Sequence, residues 1–285
     1  MDILVSSVER ETFFSGKQKV DSIKMYPGGD ALNEALVLSH FKADTKLISI
    51  LGDDLMGQTI LKHLEAENVL YNDNILQKNI ETYISLVMID PDGERSFVGN
   101  RDGSVRKLDL PHIEIDDDAQ IISFASLFIS PILNNEKLEV LFSDIRKKGK
   151  ILCVDCSTPK NNEKIEDLSC LKHADYFFCN LSEAISLCGN GTIEEIMDRF
   201  ERMRINAIVK CGKQGCYCHG KHYPTEMLDH MIDSTGAGDS FAAGFILSLS
   251  QGKSIDQCLE TANRFGRKAC EHIGATQWIK YEECV

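Results

Sequence analysis

The 285-residue sequence predicts an α/β protein with a central, mostly parallel sheet, helices on both faces of that sheet, and a small β-sheet lid. Short apolar runs alternate with amphipathic stretches along most of the chain, which is the pattern of a parallel sheet covered by helices. Two segments of alternating polarity interrupt this pattern and predict antiparallel hairpins. No linker or internal repeat divides the chain, so we expect a single domain over residues 1–285.

The core elements are predicted in order along the chain, with strands at the apolar runs and helices at the amphipathic stretches. The predicted strands are 47–51, 121–129, 151–155, 176–179 and 207–210, and the predicted helices are 59–67, 138–147, 183–187, 193–204 and 241–249. Ligands of such sheets bind beyond the carboxyl ends of the strands. We therefore expect functional residues just after strands and at helix starts.

The two interrupting segments, 3–25 and 82–101, are predicted to pair as a small separate sheet over the site. The second contains the turn-forming run Pro-Asp-Gly-Glu at 91–94. We place the lid at about 1–26 and 80–102, and the α/β core at about 27–79 and 103–285.

The composition excludes several classes of function. A formal net charge of -13 opposes binding to a nucleic-acid backbone. No stretch approaches the length of about eighteen apolar residues that a membrane span needs, and the first residues do not resemble a secretory signal. We expect neither nucleic acid nor membrane as a partner, and a cytoplasmic location. Eleven cysteines, an odd number, favour free thiols without a structural disulfide.

The stretch DSTGAGDSFAAG, residues 233–244, carries the strongest chemical signal. Gly236 and Gly238 allow a tight turn that brings successive N–H groups onto an anion at a helix start. Asp239 is placed to accept a hydroxyl proton while those amides stabilise charge on a transferring phosphoryl group. The alternative is a glycine-rich turn in which Asp239 only caps the helix.

This stretch resembles the second signature of the ribokinase (PfkB) family of carbohydrate kinases. Another family pattern occurs upstream as Gly28-Gly29-Asp30-Ala31-Leu32-Asn33, followed by Gly52-Asp53-Asp54 and Gly57. The resemblance extends from Asp2 to about Ile279. It implies an α/β core with a β-sheet lid, and ATP-dependent phosphorylation of a hydroxymethyl group on a sugar or sugar-like molecule. The implied cofactors are ATP and Mg²⁺, with K⁺ as a further candidate.

By this resemblance Asp239 is the expected catalytic base, and the expected anion hole consists of Gly236, Ala237 and Gly238. Gly29 and Asn33 match substrate-binding positions. A glycine there permits close approach, and an amide offers a donor and an acceptor to sugar hydroxyls. The alternative for the glycine pair is a plain turn.

Further acceptor-site residues follow from the same resemblance. Asp2 lies 26 positions before Gly28 and matches the Asp with which family members grip substrate hydroxyls; a frayed terminal carboxylate is the alternative. Asp30 stands where ribokinase has a lysine, so ribose is not the default acceptor. Arg95 and Arg101 follow the lid hairpin and would meet an anionic acceptor such as a keto-acid or sugar phosphate, unless they are merely solvated.

The nucleotide site is expected around two turns. Asn180 and Glu183 resemble the family's Asn-x-x-Glu motif, in which the Glu meets Mg²⁺ through water; a helix cap with a solvated Glu183 is the alternative. Lys210, Gly212 and Gly215 resemble the nucleotide-binding turn, and a hairpin turn is the simpler interpretation.

Two weaker assignments complete the site. Asn263 resembles the residue that family members place beside the adenine. Asp233, Thr235 and Ala275 belong to loops that border the nucleotide and in some relatives a monovalent cation, so they form the candidate K⁺ site.

The start of the sequence departs from the family pattern. Family chains begin with a buried strand ahead of the Asp that Asp2 matches, and residues 1–5 resemble its second half. We expect that restoring about six to ten upstream residues of apolar strand character raises the melting temperature and lowers KM for the acceptor.

Three alternatives stay open at the level of sequence. Lids pair between subunits in many relatives, so the resemblance makes a homodimer through the lid a candidate. A nucleoside kinase of the same fold would carry the same catalytic motif. A catalytically silent sugar- or nucleotide-binding regulator is the alternative from another functional class.

Overall fold

The structure, a computed structural model, describes residues 1–9, 16–90, 95–157 and 167–282, without the side chain of Arg95. The turn predicted at 91–94 lies outside these ranges. The strands are β1 (Asp2–Ser6), β2 (Ser22–Tyr26), β3 (Lys46–Leu47), β4 (Leu51–Gly52), β5 (Leu70–Tyr71), β6 (Leu76–Gln77), β7 (Ser85–Ile89), β8 (Arg95–Gly99), β9 (Ile121–Leu127), β10 (Ile151–Cys156), β11 (Tyr176–Asn180), β12 (Ala207–Lys210), β13 (Cys216–Cys218) and β14 (Lys221–Tyr223). The helices are α1 (Asp30–His40), α2 (Leu55–Ala66), α3 (Asn135–Lys147), α4 (Leu181–Cys188), α5 (Ile193–Arg202), α6 (Ala237–Ser250) and α7 (Ile255–Ala269).

A six-stranded sheet in the order β14-β13-β12-β11-β10-β9 forms the core. Strands β9 to β12 are parallel, and β13 and β14 add an antiparallel edge. Side chains alternate between the faces: on β10, Cys153 packs among residues of α1, α6 and α7, whereas Leu152 and Val154 pack among residues of α3 and α5. The predicted mostly parallel sheet with helices on both faces is confirmed.

The prediction of one strand over 47–51 was wrong. The chain forms two short strands there, with β3 pairing with β5 and β4 pairing with β6 in separate two-stranded sheets. Between them the Ser49 N–H donates to the side-chain Oδ1 of Asn72 at 2.9 Å. Because this N–H is bonded to a side chain, it cannot bond to a neighbouring strand, and the hydrogen bonding between strands is interrupted here.

Strand β9 was predicted to reach residue 129 but ends at Leu127. Phe128, the residue after the strand, has a positive φ of 74°, which a continuing strand does not allow, and Ser126 has a φ of 57° inside the strand, where the register with β10 shifts. Non-glycine residues with such angles often occur at functional sites, because the surrounding structure has to hold them there. The hydroxyl of Ser126 is part of the candidate site.

The two segments of alternating polarity form a four-stranded sheet in the order β2-β1-β7-β8. Each segment is an antiparallel pair, but β1 and β7 in the middle are parallel, a contact that the hairpin pattern did not predict. Leu4 and Val87 are buried on one face of this sheet. Its role as a lid and the limits of 1–26 and 80–102 stay predictions.

A cavity of about 1080 Å³ lies between this sheet, β9 and the start of α1. Its walls include Gly29, Asp30, Arg101, Ser126 and Ser157. Across the described ranges no helix is long and apolar enough to cross a bilayer. No disulfide joins two cysteines within the same ranges.

Candidate active site

The glycine-rich stretch forms the N terminus of α6. Gly236 caps the helix with a left-handed φ of 72°, and a Cβ on it would lie 2.5 Å from Cβ of Ala275, so only glycine fits. Gly238 lies within α6 and has no positive φ, so the prediction that both glycines shape the turn was wrong for Gly238. The amides of this first turn lack partners within the helix and suit an anion.

Asp239, in that first turn, is bonded to the other predicted motif. Nδ2 of Asn33 on α1 donates to Oδ2 of Asp239 at 2.7 Å. Burial and the nearby Asp30 carboxylate raise the pKa of Asp239 well above its ordinary value, against the lowering effect of the Asn33 hydrogen bond. A raised pKa makes the ionised carboxylate a stronger proton acceptor.

Asp30 is held by two serines that sequence reasoning missed. Ser126 Oγ donates to Oδ2 of Asp30, and Ser157 Oγ donates to the same oxygen at 3.0 Å. These serines lie near the carboxyl ends of β9 and β10, and that position was the signal available in the sequence.

Asp2 lies beside the glycine pair. A Cβ on Gly28 would lie 1.9 Å from Oδ2 of Asp2, so the glycine lets this carboxylate approach the backbone. Strand β1 is paired on both sides, so Asp2 is not a frayed terminus. Arg101 is exposed and lines the same cavity as Gly29 and Asp30.

Asn180 and Glu183 form a capping box at the start of α4. Oδ1 of Asn180 accepts the Glu183 N–H at 2.9 Å, and Oε2 of Glu183 accepts the Asn180 N–H at 2.8 Å. The helix-cap alternative is therefore correct for Asn180. It is wrong for a solvated Glu183, because this side chain is buried.

Lys210, the last residue of β12, forms an ion pair with Asp155 on β10. Nζ of Lys210 lies 2.8 and 2.9 Å from the two carboxylate oxygens of Asp155. The same Nζ would lie 3.3 Å from a Cβ on Gly238, so Lys210 borders the first turn of α6. Asp155 was not singled out from the sequence, although it too lies near the carboxyl end of a strand.

The turn after β12 is a hairpin, as the simpler interpretation had it. A 3₁₀ turn at Gly212–Gln214 leads through Gly215 into β13, and the Cys211 N–H donates to the Gly215 carbonyl at 2.7 Å. Asn263 on α7 donates from Nδ2 to the carbonyl of Tyr223 at 3.0 Å, which ties α7 to β14. Their nucleotide contacts stay predictions.

Asp233 joins the loops of the candidate K⁺ site. Its Oδ1 accepts the Thr235 N–H at 2.8 Å, and its Oδ2 accepts the Gly274 N–H at 2.9 Å. Ala275, the next residue, packs against Gly236. Asp233, Thr235 and Ala275 are thus brought together around the N terminus of α6.

The carboxylates present suit a magnesium ion held mainly by phosphate and water. No group of three or more His, Cys, Asp or Glu side chains in the described ranges is arranged to hold an ion. Glu183 is buried, and one of its oxygens accepts the bond of the helix cap. Mg²⁺ usually keeps several waters and binds substrate phosphates, which such a carboxylate can support through water.

The profile of the pfkB family carbohydrate kinases matches residues 3–280. The chain belongs to this family of kinases. Two of its similar relatives are enzymes of known name. The 2-dehydro-3-deoxygluconokinase of Haemophilus influenzae is 27% identical over 287 residues, covering 92% of this chain and 91% of that protein. Fructosamine kinase FrlD of Bacillus subtilis is 29% identical over 266 residues, covering 90% of this chain and 87% of that protein.

Solved structures confirm the ribokinase-like fold of the kinase. Adenosine kinase from Sinorhizobium meliloti superposes with a TM-score of 0.80 at 20% identity, covering 96% of this chain and 86% of that one. Ribokinase from Thermotoga maritima gives a TM-score of 0.78 at 20% identity, covering 98% of this chain and 95% of that one.

Glu34 of the kinase is a buried carboxylate that the motifs did not reveal. It is 2% exposed, its Oε2 accepts a hydrogen bond from Ser123 Oγ at 2.5 Å, and its Oε1 has no partner among the described residues. Burial, followed by the charge of Asp155, raises the pKa of Glu34 to about 8. The folded kinase therefore keeps a proton that the unfolded chain releases near pH 4.5.

Glu34→Gln is expected to flatten the dependence of stability on pH. Because the folded-state pKa is raised, the proton on Glu34 favours folding at low pH, and this stabilisation is lost as pH rises through about 8. Between pH 5.5 and 8.5 the proton on Glu34 changes the free energy of unfolding by about 3 kcal/mol. Urea denaturation at pH 5.5 and 8.5 measures it, with exposed Glu260→Gln as the control. An equal fall in wild type and Glu34→Gln would contradict the assignment.

Proposed function

We propose that this kinase transfers the γ-phosphoryl group of ATP to a hydroxymethyl group of a sugar or sugar-like molecule, with Asp239 as the general base. The hydrogen bond of 2.7 Å between Asn33 and Asp239 carries the proposal, because it joins the upstream motif to the first turn of α6. A carboxylate next to the N-terminal amides of a helix combines a proton acceptor with an anion site.

In the proposed reaction the acceptor oxygen attacks the γ-phosphorus as its proton passes to Asp239. The bond between the γ-phosphorus and the bridging oxygen breaks, and ADP leaves. The anion hole of Gly236, Ala237 and Gly238 stabilises the negative charge on the transferring group, since its amides are fixed before the reaction. When bound, Mg²⁺ supplies further neutralisation of phosphate charge, with Glu183 near its water shell.

Asp2, Gly29, Asp30 and Asn33 are proposed to hold the acceptor. The Asp2 and Asp30 carboxylates accept hydrogen bonds from hydroxyl groups, and the buried Oδ1 of Asn33 has no partner among the described residues, so it is a further acceptor. Arg101, on the wall of the same cavity, would meet an anionic group of the acceptor. Arg95, whose side chain lies outside the described part, stays a prediction in that role.

ATP is proposed to lie along the edge formed by α4, the turn after β12 and α7. The residues assigned to it are Asn180, Glu183, Lys210, Gly212, Gly215 and Asn263. K⁺ near Asp233, Thr235 and Ala275 belongs to the same proposal. Turnover in KCl compared with tetramethylammonium chloride at equal ionic strength tests the need for this cation.

A panel of acceptors assayed for ADP release tests the function. Sugars, sugar acids including 2-dehydro-3-deoxygluconate, fructosamines, ribose phosphates and nucleosides would be compared by kcat/KM, with Asp239→Asn as the blank. A hydroxymethyl sugar as the best acceptor supports the proposal, and a preference for nucleosides supports the nucleoside kinase. Binding of sugar and ATP without turnover of any acceptor would favour the silent regulator.

A homodimer through the lid is part of the proposal because one face of the four-stranded sheet is apolar. The strand register puts these side chains on one face: Ile3, Val5, Ile23, Met25, Leu86, Met88 and Val98. Ile23, Met25 and Val98 are 66%, 54% and 55% exposed. An apolar face that spans four strands is typical of a surface that another copy covers.

Replacing Val98 on this face by Glu is expected to convert dimer to monomer, because the contact would then bury an unpaired charge. Sedimentation velocity of the wild type and Val98→Glu measures the change. Exposed Val140→Glu on α3 is the control and should leave the assembly as it is. A monomeric wild type at high concentration would contradict the dimer.

A further inference from the structure

Lys210 is a largely buried cation among several carboxylates. Its side chain is 15% exposed and that of Asp155 is 7% exposed. The charges of Asp155, Glu183 and Asp239 raise the pKa of Lys210 against the lowering effect of burial, so the side chain is an ammonium ion. Three different elements, β10, α4 and α6, supply these carboxylates.

The geometry leaves one donor of this ammonium group unused. An ammonium has three N–H donors, and two are directed at the oxygens of Asp155 at 2.8 and 2.9 Å. No third hydrogen-bond partner for Nζ lies among the described residues, and Nζ is 3.3 Å from the position of a Cβ on Gly238. Any anion bound by the amides of the first turn of α6 would therefore approach Nζ.

We propose that Lys210 contacts the transferring phosphoryl group as a catalytic residue, and that Asp155 is the positioning residue that aims its ammonium group there. This rests on the proposed function, and it adds to the anion hole a cation that no backbone amide can replace. During transfer Lys210 keeps all three protons. The acceptor proton goes to Asp239, and the leaving oxygen remains on ADP.

The ion pair with Asp155 holds the charge of Lys210 beside the first turn of α6 and away from Asp239. A triphosphate that approaches Asp239, Asp30 and Glu183 meets repulsion, which a fixed positive charge offsets most strongly where water is excluded. Without Asp155, the ammonium group of Lys210 would be attracted directly to Asp239. It would then form an ion pair with the carboxylate that has to accept the proton. The bidentate contact keeps Nζ beside Gly238 and leaves Asp239 to its hydrogen bond with Asn33.

Substitution of both partners tests the proposal. Lys210→Met is expected to lower kcat by about 10²- to 10³-fold, the usual loss for one preorganised donor, with KM for ATP changed much less. Asp155→Asn is expected to lower kcat by about 10-fold, because Nζ is present but no longer aimed. The exposed pair Lys221 and Asp256, 2.9 Å apart, supplies the controls Lys221→Met and Asp256→Asn, which should keep wild-type kcat.

A pH profile separates positioning from a structural role. Burial lowers the pKa of Lys210, and the charge and hydrogen bond of Asp155 raise it, so the pKa of Lys210 is expected to fall when the Asp155 carboxylate is removed. The alkaline limb of kcat/KM is expected at lower pH in Asp155→Asn than in wild type. An unshifted limb would overturn the positioning role of Asp155.

The melting temperature and kcat of a double variant separate loss of the phosphoryl contact from loss of the fold. Lys210→Met alone leaves Asp155 buried and unpaired and so threatens the fold, whereas the double variant Lys210→Met/Asp155→Asn removes both charges and should fold. A double variant that melts like wild type and keeps wild-type kcat would overturn the proposal. So would a Lys210→Met variant that only raises KM for ATP.

Binding of ADP with aluminium fluoride, a mimic of the transferring group, needs no acceptor. Calorimetry of the double variant is expected to show about 10²-fold weaker binding of ADP with aluminium fluoride and near-normal binding of ADP alone. The binding measurement can be made even if no acceptor in the panel is phosphorylated. A failure of the proposed function can therefore be distinguished from a failure of the role proposed for Lys210. Equal affinity of wild type and double variant for the mimic would overturn the role of Lys210.

Discussion

Asp239→Asn is expected to lower kcat by about 10² to 10⁴ while the fold and the binding of ATP persist. The amide has nearly the shape of the carboxylate and can keep a hydrogen bond to Asn33, which is 2.7 Å from Asp239. It cannot take the acceptor proton at neutral pH. Steady-state ADP release at saturating ATP and acceptor measures the loss.

The melting temperature of Asp239→Asn shows whether a loss of activity comes from a loss of the fold. Because burial and Asp30 raise the pKa of Asp239, the folded protein holds a proton there that the unfolded chain releases at lower pH. The stabilisation by this proton is lost as pH rises through the raised pKa. Asp239→Asn should therefore melt at or above the wild-type temperature at pH 8, and more than a tenth of wild-type kcat would contradict the base assignment.

The parts of the site that could be predicted from sequence are those in which the residue type is itself the constraint. Gly236 has a left-handed φ and a neighbour that excludes any Cβ, and Gly28 admits the carboxylate of Asp2. Such positions accept little but glycine, so they form recognisable motifs. The contact between Asn33 and Asp239 spans 206 positions, and the resemblance assigned both residues to the site without predicting that contact.

The parts that were missed depend on contacts between distant strands and helices. Ser126 and Ser157 are ordinary polar residues near strand ends until both contact Asp30 on α1. A carboxylate on a helix is usually solvated, and only the packing of α1 on β9 buries Glu34 against Ser123. No residue type marks the positive φ of Phe128, so the early end of β9 could not be predicted either.

A side chain at Gly238 would affect the space beside Lys210 and would not strain the backbone of the turn. The residue lies within α6 without a positive φ, so a side chain there does not strain the turn. The nearest atom to an added Cβ is Nζ of Lys210 at 3.3 Å, the far end of a flexible side chain. Gly238→Val is therefore expected to fold, because valine is no worse than glycine in the interior of a helix.

Gly238→Val should nevertheless abolish turnover, because the branched side chain fills the space beside the first-turn amides and displaces Nζ of Lys210. Losing one preorganised donor to the transferring group costs about 2.7 to 4 kcal/mol, and this change affects the amides and the ammonium group together. Gly238→Ala should give a smaller loss, whereas Gly236→Ala should lower the melting temperature, since its Cβ would lie 2.5 Å from that of Ala275. Melting curves and kcat of the three variants measure both effects. Normal turnover by Gly238→Val would place the phosphoryl group away from the N terminus of α6.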